Sequence, residues 1–477
     1  CFNLISNPME VASRSHNNES AEPSSSHVLG WMKAIVPHRI INKIAEKAKE
    51  AKKLGIDDPR RIIHSFKVGL AITLVSLFYY FKPLYEGFGV SAMWAVLTVV
   101  VVFEFSVGAT LGKGLNRVCA TLLGGGLGVG AHWLACYSGK NGEPVVIAVF
   151  VFIVAATVTF VRFFPKMKAR YDYGLMVFIL TFCLVSVSGY REDEVIRMAH
   201  ERVVTIAIGS CTSLLVCILI CPVWIGEDLH NQVADNLEKL GKFLEGFGGE
   251  YFKISNDAQS NTDKSFLQGY KSALNTKNSE ENMANLARWE PRHGRFKFRH
   301  PWKLYLKAGT LTRDCAYKIE ALSSHLNSEN STPWPEEIQS KIQESYTMIS
   351  SETGKALKEL ASAIKTMARS SSVNTHIANS NAAAETLKSP FKISVLEEDT
   401  DLLEIVPAAT VASLLMDVVT CTEKIAACVN DLASQANFNS PNNNNNMIPG
   451  NSRLLHRGSV QPISGTEGPH HVITIGE

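Results

Sequence analysis

The sequence predicts an all-α membrane protein, with six transmembrane helices followed by a cytosolic helical domain. Three observations carry that expectation. Residues 62–225 are strongly apolar and the rest of the 477-residue chain is polar and charged, so the 46% hydrophobic content averages two unlike halves. Windows such as VVIAVFVFIVAATVTFV and VVTIAIGSCTSLLVCILI have no polar face to show water, and a spanning helix needs about 20 such residues. After Pro222 the pattern changes. Leu229, Val233, Leu237, Leu240, Leu244 and Phe247 recur at three- and four-residue spacing, as on a helix with one apolar face.

Taken in order, residues 1–37 read as a disordered N-terminal segment. Met9 is the first methionine, and residues 1–8 are expected to lie upstream of the natural start. No cleavable signal peptide is visible. Residues 38–61 form a basic cytosolic segment. Its stretch 38–57 either lies on a membrane surface as an amphipathic helix or is a solvated lysine-rich helix. Asp57-Asp58-Pro59 then signals a helix start.

Residues 62–225 are expected to form a six-helix transmembrane pore domain, with apolar segments at about 62–82, 90–106, 108–136, 144–164, 172–190 and 199–224. Positive charge sets the orientation. Lys43, Lys47, Lys49, Lys52, Lys53, Arg60 and Arg61 flank the first segment, and Arg162, Lys166, Lys168 and Arg170 join the fourth to the fifth. Both sides are therefore read as cytosolic, as are both termini. Residues 226–436 follow as a cytosolic helical domain, with helices near 265–288, 302–327, 335–369 and 401–436 and a loop at 370–385. Residues 437–477, with their run Asn442 to Asn446, read as a disordered tail.

Composition also excludes functions. A net charge of +2 does not suggest nucleic-acid binding. There is no G-x-S-x-G, HExxH, P-loop or dinucleotide fingerprint, so neither enzyme activity nor a cofactor is expected. The ten cysteines have no CxxC or paired framework and read as small apolar packing residues. His293 and His300 are seven apart without companion ligands, so no metal site is read there. The run 288–307 interleaves cations with Phe296, Phe298 and Trp302. That mix suits base stacking, but it is read as a structural element beside the membrane.

The charges inside the apolar half are the informative ones. The third segment has GxxxG spacing at Gly108/Gly112, Gly124/Gly128 and Gly126/Gly130, which suits a central, protein-surrounded helix. It also holds Lys113 and Arg117, four apart and hence on one face. Arg117 lies roughly 15 Å from Val107 along the helix, near mid-membrane. Facing lipid there would cost at least ~2.5 kcal/mol, so it faces protein or water. Arg202 opens the sixth segment, and Lys67 lies near the cytosolic end of the first. Fixed positive charge of this kind favours anions in a pore. Snorkelling or a buried salt bridge is the alternative for each, with Glu104 the main candidate partner and Glu201 or Glu194 the candidates for Arg202.

At the level of long strings the chain resembles the plant aluminium-activated malate transporter family. The strings are DDPRRIIHSFKVGLA (57–71), GVSAMWAVLTVVVVFEFSVGATLGKGLNR (89–117), VRFFPKMKARYDYG (161–174), CPVWIGEDLH (221–230), WEPRHGRFKFRHPW (289–302) and LEIVPAATVASLLMDVVTCTEKIAACVNDLA (403–433). Trp289, Glu290 and Pro291 form the family's signature tripeptide. The resemblance implies a dimeric anion channel that passes malate and other anions, with Arg117 and Arg202 lining the pore. Lys113 and Lys67 are the further candidate pore cations. A plasma-membrane location is expected over a vacuolar one. A coupled organic-acid transporter is the alternative, and a membrane scaffold or receptor a third reading. Outer carboxylates at Glu86 and Asp193 could answer to an external cation. Arg197, one turn after Asp193, would repel Al³⁺, so direct aluminium activation is not expected.

Overall fold

The computed structural model describes residues 38–80, 92–188, 195–251, 268–326, 336–394 and 402–439. The expected disordered ends lie outside the described residues, apart from the short stretch 437–439. The described residues are helical throughout, with two isolated bridges, His293 to Phe296 and Ala368 to Asn439, and no sheet among them.

The basic segment forms α1 (His38–Asp57), and the apolar half builds α2 (Pro59–Tyr80), α3 (Ala92–Val102), α4 (Val107–Cys136), α5 (Gly139–Val161), α6 (Pro165–Ser188) and α7 (Val195–Leu219). The signal at Asp58 works as a cap. Its carboxylate accepts from the Arg60 amide at 3.1 Å, and Pro59 takes the first helical position. Between α3 and α4 the chain breaks over residues 103–106. Ser106 caps α4 by accepting from the Ala109 amide. The Thr110 hydroxyl accepts from the Glu104 amide at 3.0 Å, and the Val107 amide donates to the Val223 carbonyl at 3.1 Å. The break thus leaves those amides bonded where no water reaches them.

Among the described residues, four helices are long and apolar enough to cross a membrane: Val107–Cys136, Gly142–Val161, Arg170–Val187 and His200–Leu219. The other two expected segments are helical where described, and fall short for different reasons, one of length and one of charge. Met93–Val102 is a shorter apolar helix, and α2 carries Arg60, Arg61 and Lys67 in its first half. The protein is an integral membrane protein of packed helices.

α4 is the centre of this half, packing on α5, α6 and α7. Glycine permits the closest approach. A Cβ on Gly124 would lie 2.7 Å from the Phe178 carbonyl oxygen of α6, whereas one on Gly126 would meet nothing within 4 Å. Of the GxxxG pairs, therefore, Gly124/Gly128 faces a neighbour and Gly126/Gly130 faces outward. α2, α3 and α7 share a smaller apolar core around Ala71, Val75, Val99, Val216 and Cys217.

The C-terminal body comprises α8 (Ile225–Tyr251), α9 (Lys271–Leu274), α10 (Lys277–Ala287), α11 (Trp302–Leu326), α12 (Glu336–Thr366), α13 (Val373–Ser394) and α14 (Leu402–Ala436). The six apolar residues that predicted α8 are all buried in one core, against α10, α11 and α12. Two readings are corrected. The expected single helix near 265–288 is divided into α9 and α10. The expected loop at 370–385 is mostly helix, because Val373, Ala384 and Leu387 are buried and Glu352 of α12 holds His376 and Asn379 at 2.8 and 3.1 Å. Beyond α14, Phe438 is buried and Asn439 exchanges backbone bonds with Met367 and Arg369.

Candidate anion site

Arg117 is placed by α4, and only 6% of its surface is exposed. One terminal nitrogen donates to the Tyr173 hydroxyl of α6 at 2.7 Å, while its Nε is buried with no hydrogen-bond partner among the described residues. Arg202 of α7 stacks on the Trp94 ring of α3, with its guanidinium carbon 3.8 Å from the ring centre. The two arginines are electrostatic neighbours. Among the described residues, neither forms an ion pair with a carboxylate. Thr121, one turn above Arg117 on the same face of α4, and Ser210 on α7 also have buried hydroxyls without partners.

The two lysines are held differently. Lys113 is ion-paired with Glu104 at the α3–α4 break, and its ammonium lies 5.8 Å from the Tyr173 ring centre. Lys67 is buried and donates to the Cys221 carbonyl at 2.8 Å, just past the end of α7. Cys221 has a φ of +40°. A cation on the carbonyl of that left-handed turn also complements the end of the helix. The four cations thus sort into two with fixed partners and two arginines held by aromatic side chains. Tyr173 and Trp94 are the functional neighbours that sequence reasoning missed. Both sit inside the family-like strings, yet nothing in a linear sequence joins them to an arginine on another helix.

Below this level, the signature tripeptide forms the joint between α4 and the C-terminal body. Gly112 lies against the Trp289 ring, where a Cβ would come within 3.2 Å, and one on Gly108 would collide with the Leu286 carbonyl oxygen. Arg170 sits 5.6 Å from the same ring's centre, and its carbonyl accepts from the Asn116 side chain at 3.3 Å. Glu290 is buried and caps α8, accepting from the Ile225 amide at 2.6 Å and the Gly226 amide at 3.1 Å. Burial pushes its carboxyl up to about 7, with Asp228 and Glu227 adding to the shift and the two amide bonds opposing it. The Pro291 carbonyl lies 2.9 Å from His293 Nδ1, and the His293 ring stacks on Trp224 with centres 3.8 Å apart. His300 and His230 both reach the Tyr305 hydroxyl, at 3.3 and 2.8 Å. Burial lowers each histidine to about 4, so both are neutral near pH 7.

Glu86 and Asp193 lie outside the described residues, as do Arg191, Glu192 and Glu194, and nothing is described of the Arg197 side chain. One group in the described residues has the chemistry for a metal: His132, Cys136 and Glu143, whose ligand atoms all lie within 4.8 Å of one another. Its signal was readable as a His and a Cys four apart on α4 with an acid seven residues on.

A family model described as aluminium activated malate transporter matches residues 52–396. The chain is 50% identical over 438 residues to aluminum-activated malate transporter 2 of Arabidopsis thaliana, covering 91% of this chain and 86% of that protein. It is 46% identical over 448 residues to aluminum-activated malate transporter 1 of the same plant, covering 91% and 88%. Against aluminum-activated malate transporter 1 of Triticum aestivum it is 45% identical over 423 residues, covering 87% and 90%. The chain belongs to the aluminium-activated malate transporter family, a family of transporters and not of enzymes.

Proposed function

We propose that this protein is a passive anion channel for malate and other small anions, with Arg117 and Arg202 as its fixed positive charges. One observation carries the reading: Arg117 is buried in the membrane half with Arg202 as an electrostatic neighbour, and among the described residues neither is paired with a carboxylate. Removing such charges from water is expensive unless an opposite charge arrives. Malate brings two carboxylates, each matched to the planar guanidinium fork. The relatives named as malate transporters support that cargo. The two arginines, being electrostatic neighbours, add their fields along the same path. Lys113 and Lys67 then act as electrostatic background, held by Glu104 and the Cys221 carbonyl.

The proposed architecture has six spans per subunit, with α2 and α3 as the first two. The apolar segments and the basic connections support it, with both termini and the C-terminal domain of residues 226–436 on the cytosolic side; the proposed assembly, which the family resemblance implies, is a homodimer, and the proposed location is the plasma membrane. Arg117→Ala should reduce malate current at least tenfold while expression at the surface stays normal. Arg202→Glu should block more severely than Arg202→Gln. Wild-type current in a normally expressed Arg117→Ala variant contradicts the reading, and loss of folding in that variant favours a purely structural arginine. External Al³⁺ is proposed not to activate this protein strongly, because Arg191 and Arg197 dilute the carboxylates near Glu86 and Asp193. Malate current recorded with and without the ion at acidic external pH tests this, and strong stimulation contradicts it.

A further inference from the structure

We propose that His132, Cys136 and Glu143 form a binding site for a zinc-class divalent metal ion at the end of the helix bundle remote from the C-terminal body. α4 begins against Leu286 and Trp289 of that body and runs 30 residues away from it, roughly 45 Å, so His132 and Cys136 emerge past the apolar layer on the far side. Trp133 and Tyr137, edge-to-face with centres 5.1 Å apart and both exposed, flank them as residues of a membrane interface do.

Local geometry assembles the three ligands. His132 and Cys136 are one turn apart on α4. The turn into α5 passes through Gly139 at a φ of +75°, a conformation that favours glycine, and brings Glu143 back over the imidazole. Glu143 Oε1 lies 3.7 Å from His132 Nδ1, and Cys136 Sγ lies 3.7 Å from the other ring nitrogen, Nε2; one of these nitrogens ligates the metal, and the side chain beside the other rotates to share it. His132 Nδ1 is buried without a hydrogen-bond partner. In a tetrahedral zinc site the metal–ligand lengths place ligand atoms roughly 3.3–3.8 Å apart. All three here lie within 4.8 Å, so small side-chain rotations close the site.

The donor set selects the metal. A thiolate and an imidazole favour zinc-class ions over hard ions such as Al³⁺ and Mg²⁺, which want oxygen. The Cys136 thiol releases its proton to water as the sulfur–metal bond forms, and a water fills the fourth position. The ion would then clamp the α4–α5 turn, on the same helix that carries Arg117.

The test uses the full chain in lipid nanodiscs with its thiols reduced, and Cd²⁺ as a spectroscopic stand-in for Zn²⁺. One equivalent should bind per chain with a thiolate-to-metal absorption band, and Zn²⁺ should displace it while Al³⁺ does not. Cys136→Ser should abolish the band, and His132→Ala and Glu143→Gln should each weaken binding tenfold or more. Cys119→Ser and Cys211→Ser should leave it unchanged. Circular dichroism checks that each variant is folded. No stoichiometric binding by the unaltered chain would overturn the proposal, as would a band that persists in Cys136→Ser or an affinity indifferent to both His132→Ala and Glu143→Gln.

Discussion

Arg117 and Glu290 are the two buried charged residues whose surroundings say most. Arg117 meets a phenol and no carboxylate among the described residues, whereas Glu290 meets two amides at a helix start and another carboxyl pair nearby. Glu290 has a measurable consequence. Its carboxyl is raised to about 7 in the folded protein, above the ordinary value near ~4.3. The protonated form is thus favoured by folding. The stability it contributes is complete below the ordinary range and is lost as pH rises through about 7. Glu290→Gln stays neutral and keeps an acceptor for one amide. Between about pH 4.5 and 7.5 the wild type should lose up to about 3 kcal/mol relative to Glu290→Gln. Thermal unfolding of both proteins across that range checks this, and parallel profiles contradict it. That Arg117 avoids lipid was an expectation of helix arithmetic, and the residue is buried in protein. Its bond to Tyr173 and the stacking of Arg202 on Trp94 were not legible in the sequence, because each joins separate helices and an aromatic in an apolar run gives no sign of its partner.

At the scale of the element, α4 is defined by which of its glycines touch a neighbour. A methyl group on Gly124 would press on the backbone of α6, and one on Gly126 would enter open space. Gly124→Ala should therefore destabilise the membrane half by about 1–3 kcal/mol. Gly126→Ala should be neutral or slightly stabilising, since alanine is the better helix former. Melting of the two variants in the same lipid or detergent discriminates them, and equal effects would contradict the packing of α4 on α6. The GxxxG pattern announced a crowded helix but could not say which pair was crowded. A similar limit explains α13. Its Ser, Asn and Ala read as a loop, and the helix is held by burial of Leu387 and by Glu352 from α12, which are tertiary effects. α8 was legible because its period alone identifies the buried face.

At the scale of the whole molecule, the membrane half and the C-terminal body meet through few residues. Trp289 lies on Gly112, Leu286 and Glu290 lie on Gly108, and Arg60 at the start of α2 bonds Asp228 at 3.1 Å. This joint lies on the same helix as Arg117, between about one and three turns before it. The division into an apolar and a polar half was plain from composition. The joint between them was not, since the signature tripeptide lies about 175 residues along the chain from the glycines it covers, a separation no local pattern spans. The claim that most needs testing is that anions pass here down their own gradient, attracted by buried arginines. Whole-cell currents recorded with malate as the main anion, at several malate and proton gradients, test it most directly. The account predicts a reversal potential that follows the malate equilibrium potential and ignores pH. A reversal potential that shifts with the proton or cation gradient would contradict it and indicate a coupled transporter.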